Sequence, residues 1–187
     1  MASESHFPAE GTVYWITGLS GAGKSTIGQA LAARLRDLSR PVVWLDGDAL
    51  RLIFPRGDQF GQSDRLELAT RYGNLCREIA SQGIDVVCCT ISMFSAVRQW
   101  NRDNIPCYVE VYLRVPFDEL YRRDFKGIYV TGGRNVVGVD IEAELPQNPT
   151  VTIDNYDGST PEQAVDQILA AAPCRLPSES LPRTLTP

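Results

Sequence analysis

The sequence predicts an α/β domain: a parallel β-sheet of about five strands, helices on both faces and a flexible lid. Three observations carry that expectation. Short β-branched or aromatic runs alternate with amphipathic helical segments along the chain. A glycine-rich turn leaves the first strand and enters the first helix. The 187 residues, 43% of them hydrophobic and 22% charged, supply one packed core but too little length for two.

Each element has its own signal. Val13, Tyr14, Trp15, Ile16 and Thr17 form an apolar run that stops at Gly18, a buried strand. Ile27, Ala30, Leu31, Leu35 and Leu38 then recur with a 3.6-residue period, which is a helix. Pro41 restarts the chain into a second strand, 42–45, that ends at Asp46. After a polar stretch, 51–64, a helix places Ala69, Tyr72, Leu75, Cys76, Ile79 and Ala80 on one face, and Gly83 caps its end. Residues 84–90 read as a third buried strand, 96–102 as a short helix and 108–113 as a fourth strand. Pro116 stands where a first helical turn begins, and 150–153 reads as the last strand. Thr160 and Gln163 form a capping box around Pro161 and open a helix that buries Ala164, Val165, Ile168 and Leu169.

Two stretches break the alternation. Residues 124–149 hold four glycines without periodicity and are expected to form the lid. Residues 173–187, rich in Pro and Ser, are expected to be a disordered tail. The domain is therefore expected over 12–172, behind an N-terminal extension, 1–11.

Composition narrows the function classes. A formal charge of −5 is a poor footprint for holding a nucleic-acid backbone or an anionic membrane. No apolar run approaches the ~18 residues of a membrane span, and the first ten residues lack the basic-then-apolar order of a signal peptide. A cytoplasmic protein is the expectation. Cys76, Cys88, Cys89, Cys107 and Cys174 are odd in number and lack C-x-x-C spacing, so all five are expected to be structural thiols. His6 is the only histidine, which removes His-based zinc sites and Ser-His-Asp catalysis.

The turn itself reads Gly18, Leu19, Ser20, Gly21, Ala22, Gly23, Lys24, Ser25, followed by Thr26. It matches G-x-x-x-x-G-K-[ST], the P-loop, and lies between a strand and a helix as the mechanism requires. Its glycines let backbone N–H groups approach phosphate oxygens, and the helix N-terminus adds partial positive charge there. Lys24 would reach the β- and γ-phosphates of ATP, and the Ser25 hydroxyl would complete a Mg²⁺ shell. The chain carries sixteen arginines but only two lysines, Lys24 and Lys126, each beside a glycine. A compact ammonium has been kept where a planar guanidinium would not fit equally well.

Asp46, Gly47 and Asp48 close the second strand, with Arg51 one turn onward. Beside a phosphate loop, one carboxylate can hold a Mg²⁺ water and the other can take a proton from an attacking hydroxyl. The plainer alternative is a D-G turn with solvated acids. Two lysines leave no place for an N-K-x-D guanine-reading motif, and no L-S-G-G-Q signature occurs. The small size and a lid carrying Arg122, Arg123, Lys126 and Arg134 suit a kinase of small molecules, which must close to keep water from the γ-phosphate.

From about residue 13 to 172 the chain resembles the adenylylsulfate kinase family, with its P-loop NTPase fold. The resemblance rests on residues 18–26, on Leu45-Asp46-Gly47-Asp48-x-x-Arg51, and on Phe60, Ser63-Asp64-Arg65 and Ile91-Ser92. It continues in Arg123-Asp124-x-Lys126-Gly127-x-Tyr129, Gly138-x-Asp140 and Pro146-x-Asn148-Pro149. It implies Mg²⁺-ATP-dependent phosphorylation of the ribose 3′-hydroxyl of adenylyl sulfate, a small nucleotide. By that resemblance Asp46 and Asp48 serve metal and acceptor hydroxyl, and residues 18–26 with Arg123 hold ATP. Phe60 stacks on the acceptor base, Arg51 and Arg65 hold its 5′ phosphate–sulfate, Ile91 and Ser92 line its site, and Lys126 closes from the lid. Ser92 matches the family's phosphoserine position; a structural or hydrogen-bonding role is the alternative. Relatives of this kind often dimerise, so a homodimer is an expectation.

The departures all fall on the acceptor side. Leu68 replaces the usual Asn, and Met93, Phe94 and Ser95 replace a Pro followed by basic residues. The lid is shorter and lacks a basic stretch. These features look like a branch of the family that acts on cytidine diphosphoramidate, which is the alternative acceptor; a catalytically inactive nucleotide-binding subunit is another reading. For Met93 and Trp100, packing of a short helix competes with any role in specificity.

Overall fold

The computed structural model describes residues 10–54, 61–124, 127, 137–138, 141 and 143–172. Phe60, Lys126, most of the expected lid and the expected tail lie outside the described residues.

Five parallel strands form one sheet: β1 (Val13–Thr17), β2 (Val42–Asp46), β3 (Asp85–Cys89), β4 (Tyr108–Arg114) and β5 (Val151–Asp154), in the order β2-β3-β1-β4-β5. The helices are α1 (Lys24–Asp37), α2 (Gly47–Ile53), α3 (Gln62–Ala80), α4 (Ser95–Asn104), α5 (Phe117–Arg122) and α6 (Pro161–Ala171). β1 is buried along its whole length because helices cover both its faces. Successive strand side chains point to opposite faces, so one run feeds two cores. Tyr14, Ile16, Val87 and Cys89 join the core that includes Ile27 and Leu31 of α1 and Ile168 of α6. Val13, Trp15, Val86 and Cys88 join the other, with Tyr72 and Cys76 of α3 and Val97 of α4.

One alternative is set aside and two expectations are corrected. The stretch after Asp46 is not a simple D-G turn: it is α2, with Asp46 as its N-cap accepting a hydrogen bond from the Asp48 N–H. Leu38, expected on the buried face of α1, caps the end of that helix and is 43% exposed, because the periodic face ends one turn earlier, at Leu35. Cys107 is disulfide-bonded rather than a thiol, while Cys76, Cys88 and Cys89 are free and buried. Spacing along a chain does not reveal which sulfurs a fold brings within bonding reach.

The second core also holds charge. Glu110 points from β4 toward α4 and is 1% exposed, with Arg98 at 3.3 Å and Arg102 at 2.7 Å. Burial pushes its carboxyl above the usual range, and the two guanidiniums pull the other way without cancelling it. Removing one partner of such a cluster leaves an uncompensated charge. Glu110→Ala, which strands Arg98, is expected to lower unfolding free energy by about 3–5 kcal/mol, read by urea denaturation; a loss below ~1 kcal/mol, the scale of an exposed pair, would refute this assignment.

Candidate active site

A parallel sheet sends all its strands' C-terminal ends to one edge, and the loops there can share a site. β1 stops at Thr17 and β2 at Asp46, the residue paired with Cys89 at the end of β3. The P-loop, the start of α2 and residues 90–92 therefore meet.

Residues 18–23 turn the chain from β1 into α1, with Ala22 almost fully buried beneath the turn. Gly23, the N-cap of α1, has φ 92°, a left-handed conformation that suits glycine. The Lys24 ammonium folds back across the loop and donates to the carbonyls of Gly18 (2.9 Å) and Leu19 (2.7 Å). Ser25 and Thr26 are exposed on the first turn of α1. The Ser25 hydroxyl donates to Asp46 Oδ2, while Asp46 Oδ1 accepts from the Asp48 N–H at 2.9 Å. One carboxylate thus caps α2 with one oxygen and meets Ser25 with the other. Hard oxygen donors on two elements, side by side and open to solvent, suit Mg²⁺, which binds few protein ligands and keeps waters or phosphate oxygens for the rest.

On the acceptor side, Arg51 pairs with the Asp48 carboxylate at 2.8 Å, one helical turn away. Arg65, from α3, has its pKa lowered first by burial and then by the charge of Arg51. Two guanidiniums from different helices are thus held close enough to repel each other, an arrangement suited to an anionic ligand. Ile91 is half-buried, and its carbonyl accepts from Thr17 Oγ1 at 2.7 Å. The Ser92 hydroxyl shares a 2.7 Å hydrogen bond with that of Thr90, a contact between two alcohols that does not activate either as a nucleophile.

Arg123 follows α5, and its Nε donates to Glu119 at 2.6 Å. Arg122 and Arg123 together push the Glu119 carboxyl down to about 2. The preceding turn of α5 lies against the P-loop: Leu120 Cδ2 is 3.7 Å from where a Cβ on Gly21 would stand. Gly138 approaches the same loop so closely that a Cβ would come within 2.8 Å of Leu19. Cys89 is near but inert, because burial pushes its thiol up to about 12.

The match to the adenylylsulphate kinase family model spans residues 10–154. The chain belongs to that family. A cytidine diphosphoramidate kinase of Campylobacter jejuni is 36% identical over 161 residues, covering 84% of this chain and 94% of the relative. An adenylyl-sulfate kinase of Myxococcus xanthus is 39% identical over 168 residues, covering 85% and 89%. Among solved structures, the Mycobacterium tuberculosis APS kinase in complex with AMPPNP and APS superposes with a TM-score of 0.78 at 27% identity, covering 88% of this chain and 98% of that one. The chain is thus a kinase, a phosphotransferase with a hydroxyl acceptor.

Within this adenylylsulphate kinase family member, two residues that the sequence did not flag stand at the site. Asn155, just after β5, donates from Nδ2 to the Ala22 carbonyl of the P-loop at 2.8 Å. Glu144 accepts from both the backbone N–H (2.7 Å) and the hydroxyl of Ser95 at the start of α4, and these bonds hold its carboxyl below the usual range. Neither has a local signature, since each partner is distant in sequence. Met93 is buried in the core and Trp100 carries Arg77 5.4 Å over its ring, so both have packing roles.

Lys24→Ala is expected to lower turnover about 100- to 1,000-fold, the scale of losing one donor to transition-state charge. Steady-state ADP release reads it, and a loss smaller than tenfold would remove Lys24 from the catalytic set.

Proposed function

We propose that this kinase transfers the γ-phosphoryl group of ATP to the ribose 3′-hydroxyl of an activated nucleotide, with adenylyl sulfate as the acceptor. The observation that carries the proposal is the linked row Ser25–Asp46–Asp48–Arg51, with Arg65 beside it, running outward from the P-loop. Phosphoryl transfer asks a protein for positioning and charge neutralisation more than for covalent chemistry. The P-loop amides and Lys24 hold the terminal phosphates. Ser25 and Asp46 would hold Mg²⁺, which when bound offsets the negative charge on the phosphates. Asp48, oriented by Arg51, accepts the proton of the attacking hydroxyl. Arg51 and Arg65 hold the acceptor's anionic 5′ end, joined in the proposal by Phe60 and Lys126. Ser92 lines the site as a hydrogen-bonding residue. Its partner is another hydroxyl, and in-line transfer needs no phosphoserine.

A second acceptor, cytidine diphosphoramidate, is favoured by one feature. Where the family pattern runs basic after Ser92, this chain has Ser95 bonded to the Glu144 carboxylate. A wall carrying an anion favours a terminal group with N–H donors over a sulfate, which has none. Use of ATP and the related kinases both support a cytoplasmic reaction.

The deciding assay follows ADP release with Mg-ATP and, separately, adenylyl sulfate, cytidine diphosphoramidate, gluconate or buffer. Adenylyl sulfate is expected to give at least about tenfold the kcat/KM of the others, a difference of about 1.4 kcal/mol. A lead for cytidine diphosphoramidate selects the second reading, and release with gluconate alone overturns both. Asp48→Asn is expected to remove most transfer while leaving binding of an ATP analogue intact; unchanged turnover would reject it as the base.

A further inference from the structure

The P-loop is held not only by its own glycines but by a side chain from the opposite end of the sequence. Asn155 follows β5, and its backbone N–H and both ends of its side-chain amide have partners. Its backbone N–H donates to the Arg114 carbonyl at 3.1 Å, which continues the pairing of β4 with β5. Its Oδ1 accepts from the Ser159 hydroxyl at 3.1 Å. That bond leaves the NH₂ end of the amide to face Ala22, whose carbonyl it meets at 2.8 Å. The fit is close: a Cβ on Gly23 would come within 2.4 Å of Asn155 Nδ2.

The Ala22 carbonyl and the Gly23 N–H belong to one peptide plane. In a trans peptide these groups point in opposite directions, and the chain has no cis bond among the described residues. A donor that fixes the carbonyl on one side therefore aims the Gly23 N–H to the other. Gly23 is the N-cap of α1, next to Lys24 in the phosphate motif. We infer that Asn155 is a positioning residue for the reaction: it fixes the Ala22–Gly23 peptide so that the Gly23 N–H faces the nucleotide's phosphates. Asn155 need not touch substrate to do this. It sets the orientation of a donor whose strength depends on alignment, since hydrogen bonds weaken steeply as the angle closes.

The neighbouring charges are accounted for. Asp154 and Arg114 pair with each other through two hydrogen bonds, at 2.6 and 2.7 Å, and this holds the Asp154 carboxyl below its usual range. Lys24 turns its ammonium onto the Gly18 and Leu19 carbonyls.

Asn155→Asp keeps the shape but replaces the N–H donor with an acceptor facing a carbonyl. Asn155→Ala removes the group at every pH. Calorimetry with Mg²⁺ and a non-hydrolysable ATP analogue is expected to show Asn155→Asp binding at least about tenfold more weakly than the unsubstituted chain at pH 8, that is about 1.4 kcal/mol. At pH 5.5, still above the ordinary range of an aspartic acid, Asn155→Asp and Asn155→Ala should both remain weak. In turnover, KM for ATP should rise while KM for the acceptor holds. Should Asn155→Asp fail to fold, Ser159→Ala, which releases the amide to rotate, is expected to weaken analogue binding about threefold or more with an unchanged melting temperature. Binding by Asn155→Ala within twofold of the unsubstituted chain overturns the inference. Absence of binding by the unsubstituted chain would instead overturn the ATP reading together with it.

Discussion

The Asp46 carboxylate couples the helix that follows the phosphate loop to α2. Its Oδ1 caps α2 and its Oδ2 receives the Ser25 hydroxyl from α1. An N-cap satisfies a backbone donor that the helix cannot satisfy itself. The same carboxylate that starts α2 therefore ties the phosphate loop to Asp48 and Arg51 on that helix. Asp48 and Arg51 follow within one turn, and their ion pair is partly exposed, so its own contribution to stability is small. Its value lies in orientation.

The sheet explains why this joint can exist. β1 lies between β3 and β4, and all strands point one way, so the residues that end them emerge together. Burying β1 on both faces fixes where the P-loop begins. The loop is then braced from beyond its own strand. Thr17 binds the Ile91 carbonyl, Cys89 Sγ lies 3.3 Å from the Lys24 carbonyl, and Asn155 reaches Ala22. These contacts come from both directions along the sheet. A binding loop built this way enters its reaction with little left to order, which lowers the entropic cost of holding the phosphates.

How much of this was legible in the sequence depended on whether a feature is local. The strands, the longer helices and the phosphate loop declare themselves through periodicity, glycines and short spacing, and they stand where the pattern places them. α2 was missed because seven residues carry too little periodicity, and Asp46-Gly47 reads equally well as a turn. The capping bond that decides the matter depends on backbone direction at the end of β2, not on composition. Asn155 and Glu144 were invisible for another reason. Their partners are 133 and 49 residues away, and neither type nor spacing marks a residue that acts through a distant carbonyl or helix end. Arg51 and Arg65 were assigned together through the family pattern alone; their mutual repulsion is a property of the fold.

The same division separates what this site must keep from what it can vary. On the nucleotide side several constraints meet: Gly23 takes a left-handed conformation, Asp46 binds Ser25 and the Asp48 N–H, and Asn155 binds the Ala22 carbonyl. Elsewhere, Arg51 and Arg65 stand on α2 and α3, and Ser95, the first residue of α4, is hydrogen-bonded to a single carboxylate, Glu144. A carboxylate at a helix N-terminus is itself favoured by the helix dipole and by the free amides there. The fold can therefore hold Glu144 in place by itself, and the charge there can differ without disturbing the phosphate loop. The Ser95–Glu144 contact can in this way change without altering the phosphate loop's own contacts, whereas Asp48 and Arg51 remain tied to that loop through Asp46.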